Sequence, residues 1–397
     1  MLKLLKKSLF LVLVAVTLFI LFAVTPVSAE TEDPLSCSFI KDASVRKYVE
    51  AMIHFYIYES GQTANTCTVP AVLSALRAGR PAVFLFEGAS CKSNTNTNRE
   101  GAVCIVVRMQ KNGAPHIAFY SDSSSTLPDH PLEYGAYSHG KGSQYGTATI
   151  CDGIYALYVT NHGGSYAAFH VKTLSGSGNI DAVYMKKGGY SLLKANSINV
   201  HTRTSAKVSS PSKPWSAGCL LVGNKVSVFN EFISATYPAS AKLTSTRYKG
   251  YKTNKVTSKS QEAGILIVDR YLGQEAMQKI YKDSAAVNKI VKASKDAHQK
   301  YQEGACEFDK HGNCIRCGLC TANMNAWFKA KRTTYAKATP YSASSTVRKL
   351  TKGTNLTATR FTVNRYGNIW LYCTDTQGNG YWVYSGDLNH ISGKLPY

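Results

Sequence analysis

Acidic residues are scarce. Against 46 lysines and arginines the chain carries 24 aspartates and glutamates, a formal net charge of +22. An excess of that size points to an anionic partner and does not bear on fold. It is unevenly placed: residues 30–240 hold a net +4, and 241–397 a net +15. Long apolar runs are also missing beyond the N-terminus, where nothing approaches the roughly 18 residues a membrane span needs. There is no internal repeat and no low-complexity tract. No phosphate-cradling glycine loop, dinucleotide fingerprint or paired-carboxylate motif occurs, so nothing points to a nucleotide, and no nucleic-acid partner is expected. What is present is apolar and aromatic: 44% hydrophobic residues, 25 Tyr and 14 Phe in 397 residues. Such a chain buries cores, excludes wholesale disorder, and is long enough for two or three domains.

Residues 1–29 read as a signal peptide. Lys3, Lys6 and Lys7 precede an apolar run from Leu9 to Val24, and Pro26 and Val27-Ser28-Ala29 follow as a small-residue cleavage site. An uncleaved N-terminal anchor is the alternative, and only then would the protein meet a membrane. Either way the expected location is extracytoplasmic, secreted or associated with the cell wall.

Eleven cysteines is an odd number for an exported chain, leaving at least one unpaired. Cys306, Cys314, Cys317 and Cys320 lie within 15 residues. Cys314-x-x-Cys317-Gly is a knuckle spacing suited to tetrahedral Zn²⁺, with Cys306 and Cys320 completing a closed, structural site and His311 as a spare ligand. Two disulfides are the alternative, favoured by an oxidising surface. No cofactor is expected for catalysis.

The periodicity divides the chain. Residues 30–69 form an N-terminal helical segment, with apolar residues at helical spacing over 42–58 and Asp42 or Ser44 as cap. Pro70 opens a second short helix that Gly79 closes. From Pro81 short β-branched and aromatic runs alternate with Gly, Asn and Ser, predicting a mainly β fold of sandwich or barrel type over 70–272. A short helix is predicted at 225–233 and a buried strand at 264–270. Residues 273–304 read as a helical connector, 305–321 as the Cys-rich element, MNAWFKAKR (324–332) as a linker, and 333–397 as a small C-terminal β-barrel.

Chemistry concentrates in 199–223. His201 ends a predicted strand, and Cys219 follows Ser216-Ala217-Gly218 in a small-residue turn. A thiol nucleophile needs a base within hydrogen-bond reach and backbone amides able to hold an oxyanion, and Gly218 permits such an approach. A buried structural cysteine with a histidine nearby by accident is the alternative from spacing alone. His162 and His170, on or beside predicted strands, read as structural or exposed.

The stretch resembles the catalytic domain of the L,D-transpeptidases, whose signature is a histidine, 14 to 17 residues, then Ser/Thr-His-Gly-Cys. Here 14 residues separate His201 from Ser216, and the Ser-x-Gly-Cys frame is intact. Asp152-Gly153-Ile154-Tyr155 is similar to the family's Pro-x-Gly-x-Tyr/Phe segment, and Asn199-Val200-His201 to its Ile-His segment. The resemblance spans about 70–270. It implies Cys219 as nucleophile, His201 as general base, amides around Gly218 and Cys219 in the oxyanion hole, and Ser216 shaping the turn. Ala217 replaces the family's second histidine, and Leu221 stands where Arg or Asn is usual. Trp215 and Arg203 are the candidate substrate-binding residues, Arg203 as a substitute cation.

Residues 333–397 resemble a bacterial SH3 domain through Tyr335…Tyr341 and Trp370…Tyr381-Trp382-Val383. That resemblance implies wall binding, with Tyr341, Trp370 and Trp382 expected to grip peptide stems. Together the resemblances imply an acyltransferase on peptidoglycan stem peptides, with peptidoglycan and anionic wall polymers as partners. A carboxypeptidase or endopeptidase on the same fold, and a non-catalytic wall-binding protein, are the alternatives.

Overall fold

The computed structural model describes residues 34–58, 70–90, 101–110, 115–128, 131–135, 140–202, 216–304, 322–363, 368–375 and 378–395. Arg203, Trp215, Cys306, Cys314, Cys317 and Cys320 lie outside them. The fold is mainly β.

An eight-stranded sheet is built from β1 (Ala82–Glu87), β2 (Ala102–Met109), β3 (Pro115–Ser124), β5 (Gly153–His162), β6 (Tyr166–Lys172), β9 (Asn199–His201), β10 (Leu220–Leu221) and β13 (Glu262–Asp269). Its order is β10-β9-β6-β5-β13-β1-β2-β3. The two outer strands meet. Ser125, just past β3, exchanges hydrogen bonds with Leu221 of β10: the Ser125 N–H donates to the Leu221 carbonyl at 2.9 Å, and the Ser125 carbonyl accepts from the Leu221 N–H at 2.8 Å. That bridge draws the sheet towards a barrel and sits two residues from Cys219.

Both faces of β1 are buried, which is why it reads as a continuous apolar run. Val83 and Leu85 face one core with Phe169, Leu266, Val268 and the side chains Phe229, Phe232 and Ile233 of α3 (Val226–Thr236). Phe84 and Phe86 face a second core built by α1 (Ala43–Tyr58) and α2 (Ala71–Arg77). Helix α1 starts where Asp42 Oδ1 accepts from the amides of Ser44 (2.8 Å) and Val45 (2.9 Å), satisfying two orphan donors. The N-terminal helix thus shares the sheet's core.

A second sheet, β4 (Tyr145–Ile150), β7 (Ile180–Lys186) and β8 (Gly189–Ala195), is covered by α4 (Gln274–Tyr281) and α5 (Ser284–Gly304) through Val183, Met185, Met277 and Ile290. The expected connector helices are therefore packed elements. A polar hairpin, β11 (Leu243–Tyr248) and β12 (Tyr251–Val256), turns on Lys249 and Gly250, both at positive φ.

The end of β13 carries a buried charge network. Arg270, fully buried, donates from Nε to Thr126 Oγ1 (2.7 Å) and from Nη2 to the Thr126 carbonyl (2.8 Å). Its Nη1 donates to the Ile150 carbonyl at 2.9 Å and pairs with Asp152. Asp152 also accepts from Ser294 Oγ of α5 at 2.8 Å, while Glu87 accepts from Thr126 Oγ1 at 2.6 Å. One residue before the arginine, buried Asp269 accepts from the Tyr48 hydroxyl, the Tyr56 hydroxyl and the Tyr271 amide, each at 3.0 Å.

Burial, with the nearby Asp152 carboxylate, pushes the Asp269 carboxyl from its ordinary 3.8 up to about 7 against those hydrogen bonds. Its folded value therefore exceeds its unfolded one, so its stabilising contribution is complete below pH 4 and is lost as pH rises through 7. Asn does not titrate, keeps one oxygen to accept from the Tyr48 hydroxyl and the Tyr271 amide, and offers Nδ2–H to the Tyr56 hydroxyl oxygen. Asp269→Asn should thus gain in unfolding temperature relative to the wild type as pH rises from 5 to 8. Thermal unfolding of both proteins across that range checks it; a pH-independent difference would contradict it.

The C-terminal sheet is built from β14 (Ala322–Ala330), β15 (Thr334–Lys337), β16 (Thr346–Leu350), β17 (Asn355–Val363), β18 (Ile369–Thr374), β19 (Gly380–Tyr384) and β20 (Leu388–Gly393), in the order β16-β15-β19-β18-β17-β14-β20, and most of β14 falls in the segment read as a linker. The apolar alternation there is carried by Ala326, Phe328 and Ala330, all buried. Trp370 and Trp382, expected to grip ligand, are instead buried at 4% and 5% exposure. They sit on paired strands β18 (Ile369–Thr374) and β19 (Gly380–Tyr384), where packing claims them. Tyr341 is half-buried. Among the described residues of this sheet the exposed aromatics are Trp327 and Tyr335.

Candidate active site

The short parallel pair β9–β10 positions the site. Leu220 is in register with Val200 and Leu221 with His201, bringing Cys219, one residue before β10, to the start of β9. There the Asn199 amide donates to Cys219 Sγ at 3.3 Å. The turn before the cysteine is fixed twice. Ser216 Oγ donates to the Cys219 carbonyl at 2.5 Å, and Gly218 adopts φ +110°, which L side chains rarely adopt. A Cβ at Gly218 would also stand 3.1 Å from the Ala148 carbonyl. The glycine is therefore demanded by packing against β4 as well as by backbone conformation.

His201 is buried, and its Nδ1 lies 2.8 Å from the Thr202 carbonyl. A carbonyl only accepts, so Nδ1 carries the proton and Nε2 keeps its lone pair. The Tyr166 hydroxyl lies 3.4 Å from the same nitrogen. His162, at the end of β5, stacks on His201 with centroids 4.0 Å apart and planes inclined by 26°. A ring nitrogen of each histidine and Cys219 Sγ all lie within 4.8 Å of one another.

Sequence reasoning placed His201, Cys219, Ser216 and Gly218 together but read His162 as structural or exposed. His162 and His201 are 39 positions apart and meet only because the β5–β6 hairpin, turning on Gly163 and Gly164, lies beside β9. No local spacing signals that. Asn199 was read only for its resemblance to a strand segment; its role in contacting sulfur is a backbone one, which side-chain patterns do not report.

The electrostatics differ from a thiolate–imidazolium pair. Burial pushes the His201 imidazole down to about 3, helped by neighbouring His162 and opposed by the Thr202 carbonyl. Burial also pushes the Cys219 thiol up, against the Asn199 hydrogen bond. Desolvation penalises charge on both groups, so the resting pair is neutral. His201 therefore does not hold the Cys219 thiol below its ordinary value. Such a pair reacts by general-base transfer, the proton leaving sulfur as sulfur attacks.

Of the other described cysteines, Cys104, Cys151 and Cys373 are free thiols, and the Cys37 thiol donates to the Leu35 carbonyl at 3.7 Å. Burial holds Cys104, Cys151 and Cys373 well above the ordinary thiol range. Among the described residues no helix is long and apolar enough to cross a membrane.

No protein-family model matches the chain, and no curated protein matches it. The L,D-transpeptidase resemblance therefore rests on the residues quoted for it. Among solved structures, the antimicrobial peptidase lysostaphin from Staphylococcus simulans is similar at 12% identity, over 68% of this chain and 95% of that one. The TM-score is 0.21.

Proposed function

We propose that the protein is an exported, cysteine-dependent peptidoglycan enzyme that transfers an acyl group from a wall stem peptide through a thioester on Cys219. The observation that carries this reading is the convergence of His201 and Cys219, from two parallel strand ends, on a turn held by Ser216 and Gly218. Cys219 Sγ attacks the peptide carbonyl while His201 Nε2 takes the thiol proton. The carbonyl oxygen becomes an oxyanion, which amides around Gly218 and Cys219 would stabilise. Collapse breaks the C–N bond, and the leaving amine takes the proton from His201. An incoming amine then gives a cross-link, whereas water gives a shortened stem. Mass spectrometry of muropeptides after incubation with residues 30–397 tests this. New cross-links support transfer, shortened stems mean hydrolysis on the same intermediate, and no change leaves a wall-binding protein.

The wall-binding part of the proposal is carried by an exposed patch. Tyr335, half exposed, lies opposite Lys349 in the β15–β16 ladder (Thr334–Lys337 with Thr346–Leu350), beside exposed Val347. Cationic and aromatic groups there suit an anionic polymer carrying peptide. Attraction between exposed charges is screened over roughly 8 Å at physiological ionic strength, so binding of the full chain to isolated walls should weaken with added salt without vanishing. Tyr335→Ala should weaken the salt-resistant part, measured by co-sedimentation. Salt-independent binding would contradict the electrostatic half. Residues 241–397 alone are unsuited to this test, because β13 belongs to the eight-stranded sheet.

A further inference from the structure

The reacting atoms of the site are also a set of metal ligands. We propose that His162, His201 and Cys219 bind a thiophilic divalent cation, with Zn²⁺ as the reference ion, and that the bound ion holds the nucleophile unreactive. The inhibitory consequence rests on the acyl-transfer reading; the binding does not.

Zn²⁺ bound to imidazole nitrogen and thiolate sulfur sets its ligand atoms roughly 3.3–3.6 Å apart in a tetrahedron. The three donor atoms already lie within 4.8 Å of one another, so a contraction of at most about 1.5 Å, within the scope of side-chain rotation, seats the ion. The donors come from β5, β9 and the turn before β10, which hold them on separate, hydrogen-bonded elements. His201 Nδ1–H donates to the Thr202 carbonyl, the arrangement that fixes a ligating histidine with Nε2 towards the metal. Two imidazoles and one sulfur select Zn²⁺ or copper over Mg²⁺ or Ca²⁺, which prefer oxygen. Three protein ligands leave a fourth position to water. In the binding step the Cys219 S–H bond breaks, its proton passes to solvent, and an S–Zn bond forms, with no change of oxidation state.

His162 is the discriminating residue, since the acyl-transfer mechanism does not use it. The test is the rate at which iodoacetamide alkylates Cys219 in the full chain, read on the Cys219 peptide by mass spectrometry so that other cysteines do not interfere. Saturating Zn²⁺ should slow that rate about tenfold or more in the wild type, and Mg²⁺ should not. In His162→Phe, which keeps a stacked ring but no ligand nitrogen, protection should fall below about twofold. If that variant does not unfold cooperatively, His162→Gln decides on the same readout. No protection in the wild type, or equal protection in the folded variant, overturns the proposal. Zinc protection together with unchanged muropeptides would sink the enzyme reading alone.

Discussion

Cys219→Ser lowers turnover of stem peptides by at least about a thousandfold, and His201→Ala does nearly the same, with both chains still folded. A serine hydroxyl is a far weaker nucleophile than sulfur, and here its base is held neutral in a desolvated position. Because the two residues act as a unit, the double variant should lose little more than either single one. The pH profile carries the same information. With His201 pushed down to about 3, the free enzyme should show no acid limb near the ordinary histidine value of 6.5. An acid limb at that value, or substantial activity in Cys219→Ser, would mean that a charged pair or another residue does the work.

Arg270→Met costs about 3–5 kcal/mol of stability, a large share of the roughly 5–15 kcal/mol that holds a typical domain together. The arginine is fully buried, and its side chain donates to Thr126, Ile150 and Asp152. Removing it leaves the carboxylates of Asp152 and Glu87 desolvated without their cation. Adding Asp152→Leu should recover part of the loss, because the uncompensated charge goes with it. Denaturant unfolding of the wild type, the two single variants and the double variant closes the cycle, and strict additivity would contradict the account. The network also braces the site. Thr126 adjoins Ser125, whose bridge to Leu221 closes the sheet two residues from Cys219. Activity should accordingly fall in Arg270→Met even at temperatures where it remains folded.

Elements marked by an apolar pattern, periodic in the helices and alternating or continuous in the strands, were legible in the sequence. Helix α1 with its Asp42 cap, helix α2 between Pro70 and Gly79, strands β1 to β7 and the buried strand β13 all follow from it. The β11–β12 hairpin was not, because its strands are rich in Lys and Thr and its turn is Lys249-Gly250, a weaker signal than Asn-Gly. Strand β14 was hidden because Lys329, Lys331 and Arg332 gave its segment the look of a solvated linker. Trp370 and Trp382 showed the opposite failure: an aromatic residue looks the same in sequence whether it fills a core or grips a ligand. At the site, the short-range order of His201, Ser216, Gly218 and Cys219 was readable. His162 and Arg270 owe their positions to strand neighbours far away in the chain.

Intact-protein mass spectrometry of the chain, quenched during incubation with muropeptides and then mapped by peptide, decides whether Cys219 carries the acyl group. A thioester mechanism predicts a mass increase equal to the acyl part of the stem. The adduct should sit on the peptide containing Cys219, be released by hydroxylamine, and be absent from Cys219→Ala. Muropeptides that change while Cys219 stays unmodified, in the wild type and in Cys219→Ala alike, would contradict it.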